Sequence, residues 1–188
     1  MLATMANLFT LGRIALIIPF AAMFLANAQW NMKAAFVIFT VAAVTDFFDG
    51  WIARARNEVS ALGAALDPLA DKLLIAAALI LLLRNGVIAG AGVIAVLVII
   101  LREILISGLR EAVTLRGGSL KVTQLAKWKT TAQLIAAGLL LAAAPNGFFG
   151  EALRPLASGV LWLAAVLTFW TGAEYAYLAA RLLRAKDT

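Results

Sequence analysis

The sequence predicts an all-α integral membrane protein with six transmembrane helices and both termini on the cytoplasmic side. Three observations carry that prediction. Hydrophobic residues fill 64% of the 188 positions, and the mean hydropathy is +0.97. Charged residues make up only 14%, against about 25% in an ordinary soluble domain. The apolar residues also gather into runs close to the ~20 that a spanning helix needs. This composition excludes a soluble globular enzyme. It also excludes a disordered chain, which requires low hydrophobicity.

The spans follow in order. The first runs from about Leu8 to Ala26. Arg13, the apolar run from Ile14 to Leu25 and the small residues Ala26-Asn27-Ala28 have the outline of a secretory leader. Pro19 inside the run and the depth of Arg13 in the chain favour a retained span. The second span covers Lys33 to about Arg54. The third opens near Pro68, where Asp67 has the form of an N-cap before a first-turn proline, and ends near Arg84. The fourth covers Val87 to about Gly108, with Gly90, Gly92 and Ala95 as a small face suited to helix packing. The fifth runs from Lys127 to about Ala144. The sixth covers Leu153 to about Leu183 and carries Glu174, placed either to line a site or to pair with a base such as Arg181. Trp162 and Trp170 are expected to pack or to face lipid. The longest polar stretch is Arg110 to Lys129, with Gly117-Gly118 as a turn signal. No linker or repeat divides the chain, so residues 1–188 are expected to form a single domain.

Charge sets the orientation. One face collects 13 bases: Arg13, Arg54, Arg56, Lys72, Arg102, Arg110, Arg116, Lys121, Lys127, Lys129, Arg181, Arg184 and Lys186. The other face has three, Lys33, Arg84 and Arg154. The rule that cytoplasmic loops are basic places both termini in the cytoplasm. The net charge of +6 suits anionic substrates or lipid headgroups. With no soluble module in the chain, no nucleic-acid partner is expected.

Histidine and cysteine are both absent, so acid–base and metal chemistry falls to carboxylates. Of ten acids, four lie close together: Asp46, Asp49, Asp67 and Asp71. An ionised acid at mid-bilayer costs about 2.5–3.5 kcal/mol on insertion scales, so this group must sit near an interface or be neutralised. Asp46 and Asp49 are about 60° apart around a helix, and Asp67 and Asp71 about 40°. The short connection makes the second and third spans antiparallel neighbours, so the two pairs can face one cleft. Like charges so placed need a counter-cation, and an all-oxygen set suits Mg²⁺, Mn²⁺ or Ca²⁺. Each pair by itself also fits a plain interfacial or helix-start role. Gly50 and Gly63 fit either helix packing or close approach of backbone to a ligand.

These residues form a pattern. Asp46-Phe-Phe-Asp49-Gly50-Trp-Ile-Ala53-Arg54, then eight residues to Gly63, three to Asp67 and three to Asp71, resembles the signature of the CDP-alcohol phosphatidyltransferase family at all eight of its specified positions. Three further segments resemble the phosphatidylglycerophosphate synthase branch of that family. They are Asn7-Leu-Phe-Thr10-Leu-Gly-Arg13, Arg102-Glu103-Ile-Leu-Ile-Ser107-Gly-Leu-Arg110-Glu111 and Lys127-Trp-Lys129-Thr130-Thr131-Ala-Gln133. The resemblance reaches from the first span into the fifth.

The resemblance implies an enzyme that joins CDP-diacylglycerol to an alcohol, glycerol 3-phosphate in this branch, with release of CMP. It implies a pair of Mg²⁺ or Mn²⁺ ions held by Asp46, Asp49, Asp67 and Asp71. Asp71 would be the general base, and Asp46, Gly50, Ala53, Arg54 and Gly63 would line the nucleotide side. It further implies a homodimer among membrane lipids, multi-pass in a bacterial-type inner membrane, with the site facing the cytoplasm. The acceptor's phosphate needs cations, and Arg110, Lys127, Lys129 and Thr130 are the candidates. Arg102 is placed either with them or in a pair with Glu103 or another acid. Arg116, Lys121, Arg181, Arg184 and Lys186 are expected to serve topology and anionic lipid. The rival acceptors are serine, inositol phosphate and phosphatidylglycerol. The basic cluster argues against serine. An ion or proton pathway would string polar groups through the membrane depth, whereas here the acids concentrate at one end.

Overall fold

The computed structural model describes residues 5–26, 28–56, 61–120 and 123–184, with side chains outside 5–9, 46–56, 61–68 and 184. Among these residues there are six α-helices and no strand: α1 (Met5–Leu25), α2 (Asn31–Arg56), α3 (Ala61–Arg84), α4 (Gly92–Leu115), α5 (Gln124–Ala142) and α6 (Arg154–Arg184). A single 3₁₀ turn, Gly150–Leu153, leads into α6. The chain divides into two compact units. The first is Met1–Ile88 with Ala137–Ala157, and the second is Ala89–Ala136 with Ser158–Thr188.

In the first unit α1 packs on both α2 and α3. Its core is aromatic and small. Phe20 and Phe39 are buried with ring centroids 6.0 Å apart, and Phe24 meets Phe20 edge-on at 5.3 Å. Ala35, Ala42, Ala70 and Ala78 of the same unit are fully buried, as expected where small residues let helices approach closely. The α5 end of this unit closes on Gly147. A Cβ there would lie 2.5 Å from the Ala142 carbonyl oxygen and 2.8 Å from those of Ala144 and Leu141. Only glycine fits where three backbone oxygens crowd one Cα.

In the second unit α4 buries Ala95, Val96, Ile99, Ile106 and Val113. Its other face exposes Ile94, Leu97, Leu101, Ile104 and Leu105. So large an apolar surface suits lipid rather than water. Two helical stretches among the described residues are long and apolar enough to cross a membrane, Gly92–Leu115 and Gly150–Leu183. Trp162 and Trp170 are both exposed on α6.

Two expected boundaries move. The third helix starts at Ala61 and not at Pro68, so Asp67 is an interior residue of α3 and not an N-cap. The segment before the proline is Ala61-Leu-Gly-Ala-Ala-Leu66, rich in strong helix formers. Pro68 removes a single backbone donor, a loss that helices in apolar surroundings tolerate. The fourth helix starts at Gly92 and runs to Leu115, so the expected span of Val87–Gly108 is displaced toward the C-terminus. Residues 87–91 are apolar but not helical. Gly86 and Gly90 have φ of +69° and +54°, a left-handed backbone open to glycine. The amides of Val87 and Ile88 bond back to the Leu82 carbonyl, closing α3. Gly90 therefore belongs to a turn and not to a helix face, whereas Ala95 is buried as expected. At the far end of α4, Gly117 and Gly118 donate to the Thr114 and Val113 carbonyls, which makes the expected turn.

Candidate active site

The acidic motif occupies two helices of the first unit. On α2, Asp46, Asp49, Gly50, Ala53 and Arg54 stand at i, i+3, i+4, i+7 and i+8 of an unbroken helix, the spacing of one stripe. The early start of α3 places Gly63, Asp67 and Asp71 at i, i+4 and i+8 of another, with backbone positions spread over about 80°. Gly50 is helical and costs conformational entropy there. Of these residues only Asp71 has a described side chain. Those of Asp46, Asp49, Gly50, Ala53, Arg54, Gly63 and Asp67 lie outside the described residues. Three of the four acids being so placed, no cluster of three metal-binding side chains occurs among the described ones.

Asp71 is tied to α1. Arg13 Nη1 donates to Asp71 Oδ1 at 2.8 Å across 58 residues of sequence. The Arg13 side chain is 2% exposed and that of Asp71 34%. The sequence offered Arg13 as a topological cation within a branch motif. Its partner could not be read there, because helix periodicity says nothing of contacts between helices. The only available signal was the isolation of one charge in an otherwise uncharged α1.

In the second unit three charged side chains share one buried network. Glu103 on α4 accepts from Arg102 Nη1 at 3.0 Å and from Lys129 Nζ on α5. Arg102 Nη2 donates to Thr171 Oγ1 on α6 at 3.1 Å, and its guanidinium carbon lies 5.8 Å from the Tyr175 ring centroid, within cation–π range. Arg102 Nε is buried without a hydrogen-bond partner among the described residues. The Tyr175 hydroxyl accepts the Thr123 amide at 2.9 Å. Gly172 makes room, since a Cβ there would stand 2.7 Å from Arg102 Cγ. Gln133 donates to Thr168 at 2.8 Å, both buried, on the facing helices below. Arg102 thus takes the alternative of pairing with Glu103.

The four acceptor candidates lie in this same unit in different settings. Lys127 and Lys129 are two residues apart, so about 200° separates them around α5. Lys127 is exposed, whereas Lys129 is 4% exposed and paired with Glu103. Thr130 is half-buried and donates to the Ala126 carbonyl at 3.3 Å. Arg110, also half-buried, lies in the last turns of α4 rather than in a loop, and its Nη2 is 3.5 Å from the Leu120 carbonyl. Glu174 is half-buried and has no ion pair or hydrogen bond among the described residues, with Arg181 or any other group. Glu103 is the residue that sequence reasoning left without a part of its own. It was quoted in a motif and as a possible partner, and the structure makes it the hub.

Comparison with known proteins gives a consistent picture. The family profile described as CDP-alcohol phosphatidyltransferase matches residues 3–170. A protein of Arabidopsis thaliana named CDP-diacylglycerol–glycerol-3-phosphate 3-phosphatidyltransferase 2 is 40% identical, covering 92% of this chain and 78% of its own length. The Escherichia coli (strain K12) protein named for the same transfer is 40% identical over 90% of this chain and 91% of its own. One from Cereibacter sphaeroides is 34% identical over 90% and 92%.

Proposed function

The chain belongs to the CDP-alcohol phosphatidyltransferase family, and we propose that it is the enzyme that transfers the phosphatidyl group of CDP-diacylglycerol to glycerol 3-phosphate, giving phosphatidylglycerophosphate and CMP. The observation that carries this reading is the extent of the match. Residues 3–170 take in the acidic motif of Asp46–Asp71 and the basic residues Arg110–Thr130 together. Relatives named for this transfer cover about nine-tenths of the chain.

The donor chemistry fits a divalent metal. The motif supplies four hard carboxylate oxygen ligands from two helices of one unit, and the chain holds no softer histidine or cysteine. Asp46, Asp49, Asp67 and Asp71 are the residues that would hold a pair of Mg²⁺ or Mn²⁺ ions. Bound there, such ions would supply charge neutralisation for the pyrophosphate. The remaining work falls to the chain's own residues. Asp71, half-exposed and already anchored, takes the proton of the acceptor hydroxyl. The freed oxygen attacks the phosphorus that carries the diacylglycerol. A new phosphoester bond forms, the bond to the CMP phosphate oxygen breaks, and CMP leaves with the electron pair. Gly50, Ala53 and Gly63 let the cytidine diphosphate lie close to helix backbone, and Arg54 offers a fork of donors to its oxyanions. Arg110, Lys127, Lys129 and Thr130 supply cations and a hydroxyl for the phosphate of glycerol 3-phosphate. For Lys129, its place at the start of α5 in the same unit as Arg110 supports that role.

The setting we infer is a single domain of six membrane spans in a bacterial-type inner membrane. Both termini and the site face the cytoplasm, CDP-diacylglycerol enters from the lipid, and the enzyme works as a homodimer. The lopsided distribution of Lys and Arg supports the orientation, and the exposed apolar face of α4 supports the lipid setting. The test is CMP release by purified protein in detergent with CDP-diacylglycerol, Mg²⁺ or Mn²⁺, and a panel of glycerol 3-phosphate, serine, inositol phosphate and phosphatidylglycerol. Release with glycerol 3-phosphate, abolished by chelation and by Asp71→Asn, is the expected result. Release with a different alcohol overturns the acceptor, and metal-independent release overturns the carboxylate centre.

A further inference from the structure

We propose that Arg13 is a positioning residue for Asp71, orienting its carboxylate for proton transfer, and so governs turnover rather than substrate affinity. The inference rests on the function proposed above for Asp71. A cation that serves topology alone snorkels to the interface, where its charge stays hydrated. Arg13 does the opposite. It is the one charged residue in the 21-residue helix α1, it is 3% exposed, and it meets a carboxylate 58 residues away. Burying an arginine in an apolar helix is costly unless the charge is paired, so its burial calls for a purpose that the expected topology does not supply.

The geometry points to orientation. The terminal torsion of an aspartate is broad and nearly two-fold, so an untethered carboxylate samples many directions. The 2.8 Å bond from Arg13 Nη1 fastens Oδ1, while 34% of the Asp71 side chain remains accessible. One end of the carboxyl group is anchored from inside the unit and the group can still be reached from outside. The anchor is itself stiff. Thr10, one turn earlier on the same side of α1, is buried, and Phe20 and Phe24 farther along are packed in the core. Arginine suits the task better than lysine, because its planar guanidinium holds a carboxylate with fixed directionality.

The test compares Arg13→Met and Arg13→Lys with the parent enzyme in the CMP-release assay, measuring kcat and both KM values per folded protein. Misplacing a reacting group by about 1 Å costs about 100-fold in rate. Arg13→Met is therefore expected to lose about 100-fold in kcat, with both KM values moving less than about threefold, the pattern of an interaction made in the transition state. Arg13→Lys, which keeps the charge and loses the planar guanidinium, is expected to recover about tenfold of that loss. An unchanged kcat in folded Arg13→Met overturns the inference and leaves Arg13 a structural ion pair. A rise in KM at constant kcat overturns it in favour of direct substrate contact. If Arg13→Met does not fold, Arg13→Lys decides: a fall of about tenfold in kcat at unchanged KM upholds the role, and wild-type kcat overturns it. Failure of the parent enzyme to release CMP with glycerol 3-phosphate would instead refute the function itself, so the two failures stay distinct.

Discussion

Replacing Glu103 by alanine should strip Arg102 and Lys129 of the carboxylate they share. At the 3.0 Å separation of Glu103 and Arg102, an effective dielectric near 20 gives an attraction of about 5 kcal/mol. Desolvating each ion costs several kcal/mol, so the intact network comes out close to neutral for stability. Removing the carboxylate is a different matter. Arg102 is 10% exposed and Lys129 5% at the side chain, too little for water to take over from Glu103. Breaking a buried pair in this way costs about 3–5 kcal/mol. For a chain of this size each kcal/mol moves the melting temperature by about 2–4 °C, so Glu103→Ala should melt about 6–20 °C below the parent protein. The assay is thermal unfolding in detergent, followed by the fluorescence of the five tryptophans. Adding Lys129→Met to Glu103→Ala removes one stranded cation and should make the pair of substitutions less costly than their sum by about 1–3 kcal/mol. A shift below about 3 °C for Glu103→Ala, or strict additivity of the two substitutions, would refute the view that Glu103 neutralises buried charge.

Two further outcomes follow from the same geometry. Gly147→Ala forces a methyl group among three backbone oxygens and should cost about 2–3 kcal/mol, seen as a melting temperature lower by at least about 4 °C. Alanine at Arg110 and Lys127 together should raise KM for glycerol 3-phosphate about 10–100-fold, the worth of one or two charge-assisted hydrogen bonds, and leave KM for CDP-diacylglycerol unchanged. Steady-state kinetics with each substrate varied in turn checks this, and an equal rise in both would remove these residues from the acceptor site.

Much of the helical plan was legible because it depends on local chemistry. The second helix was expected from Lys33 to Arg54 and runs from Asn31 to Arg56. The fifth and sixth were found within a few residues of their observed ends. Where hydropathy failed, backbone conformation prevailed over side-chain polarity. Val87 and Ile88 are as apolar as any spanning residue, yet Gly86 and Gly90 turn the chain there. Pro68 looked like a helix start, yet a helix already under way absorbed the loss of one donor. That shift matters for the site, because it puts Gly63 on the same stripe as Asp67 and Asp71.

The sequence by itself determined the apolar, helical class of the protein and the spacing of its acidic motif. Those properties lie in composition and in spacing along single helices, where a 3.6-residue period converts order into direction. Only the tertiary structure decided which charges meet. Arg13 and Asp71 are 58 residues apart, and Glu103 and Lys129 are 26 apart. No period links them. Their pairing follows from helix packing, which sets which faces of separate helices come together and so brings buried cations such as Arg13 and Lys129 within reach of a carboxylate on another helix.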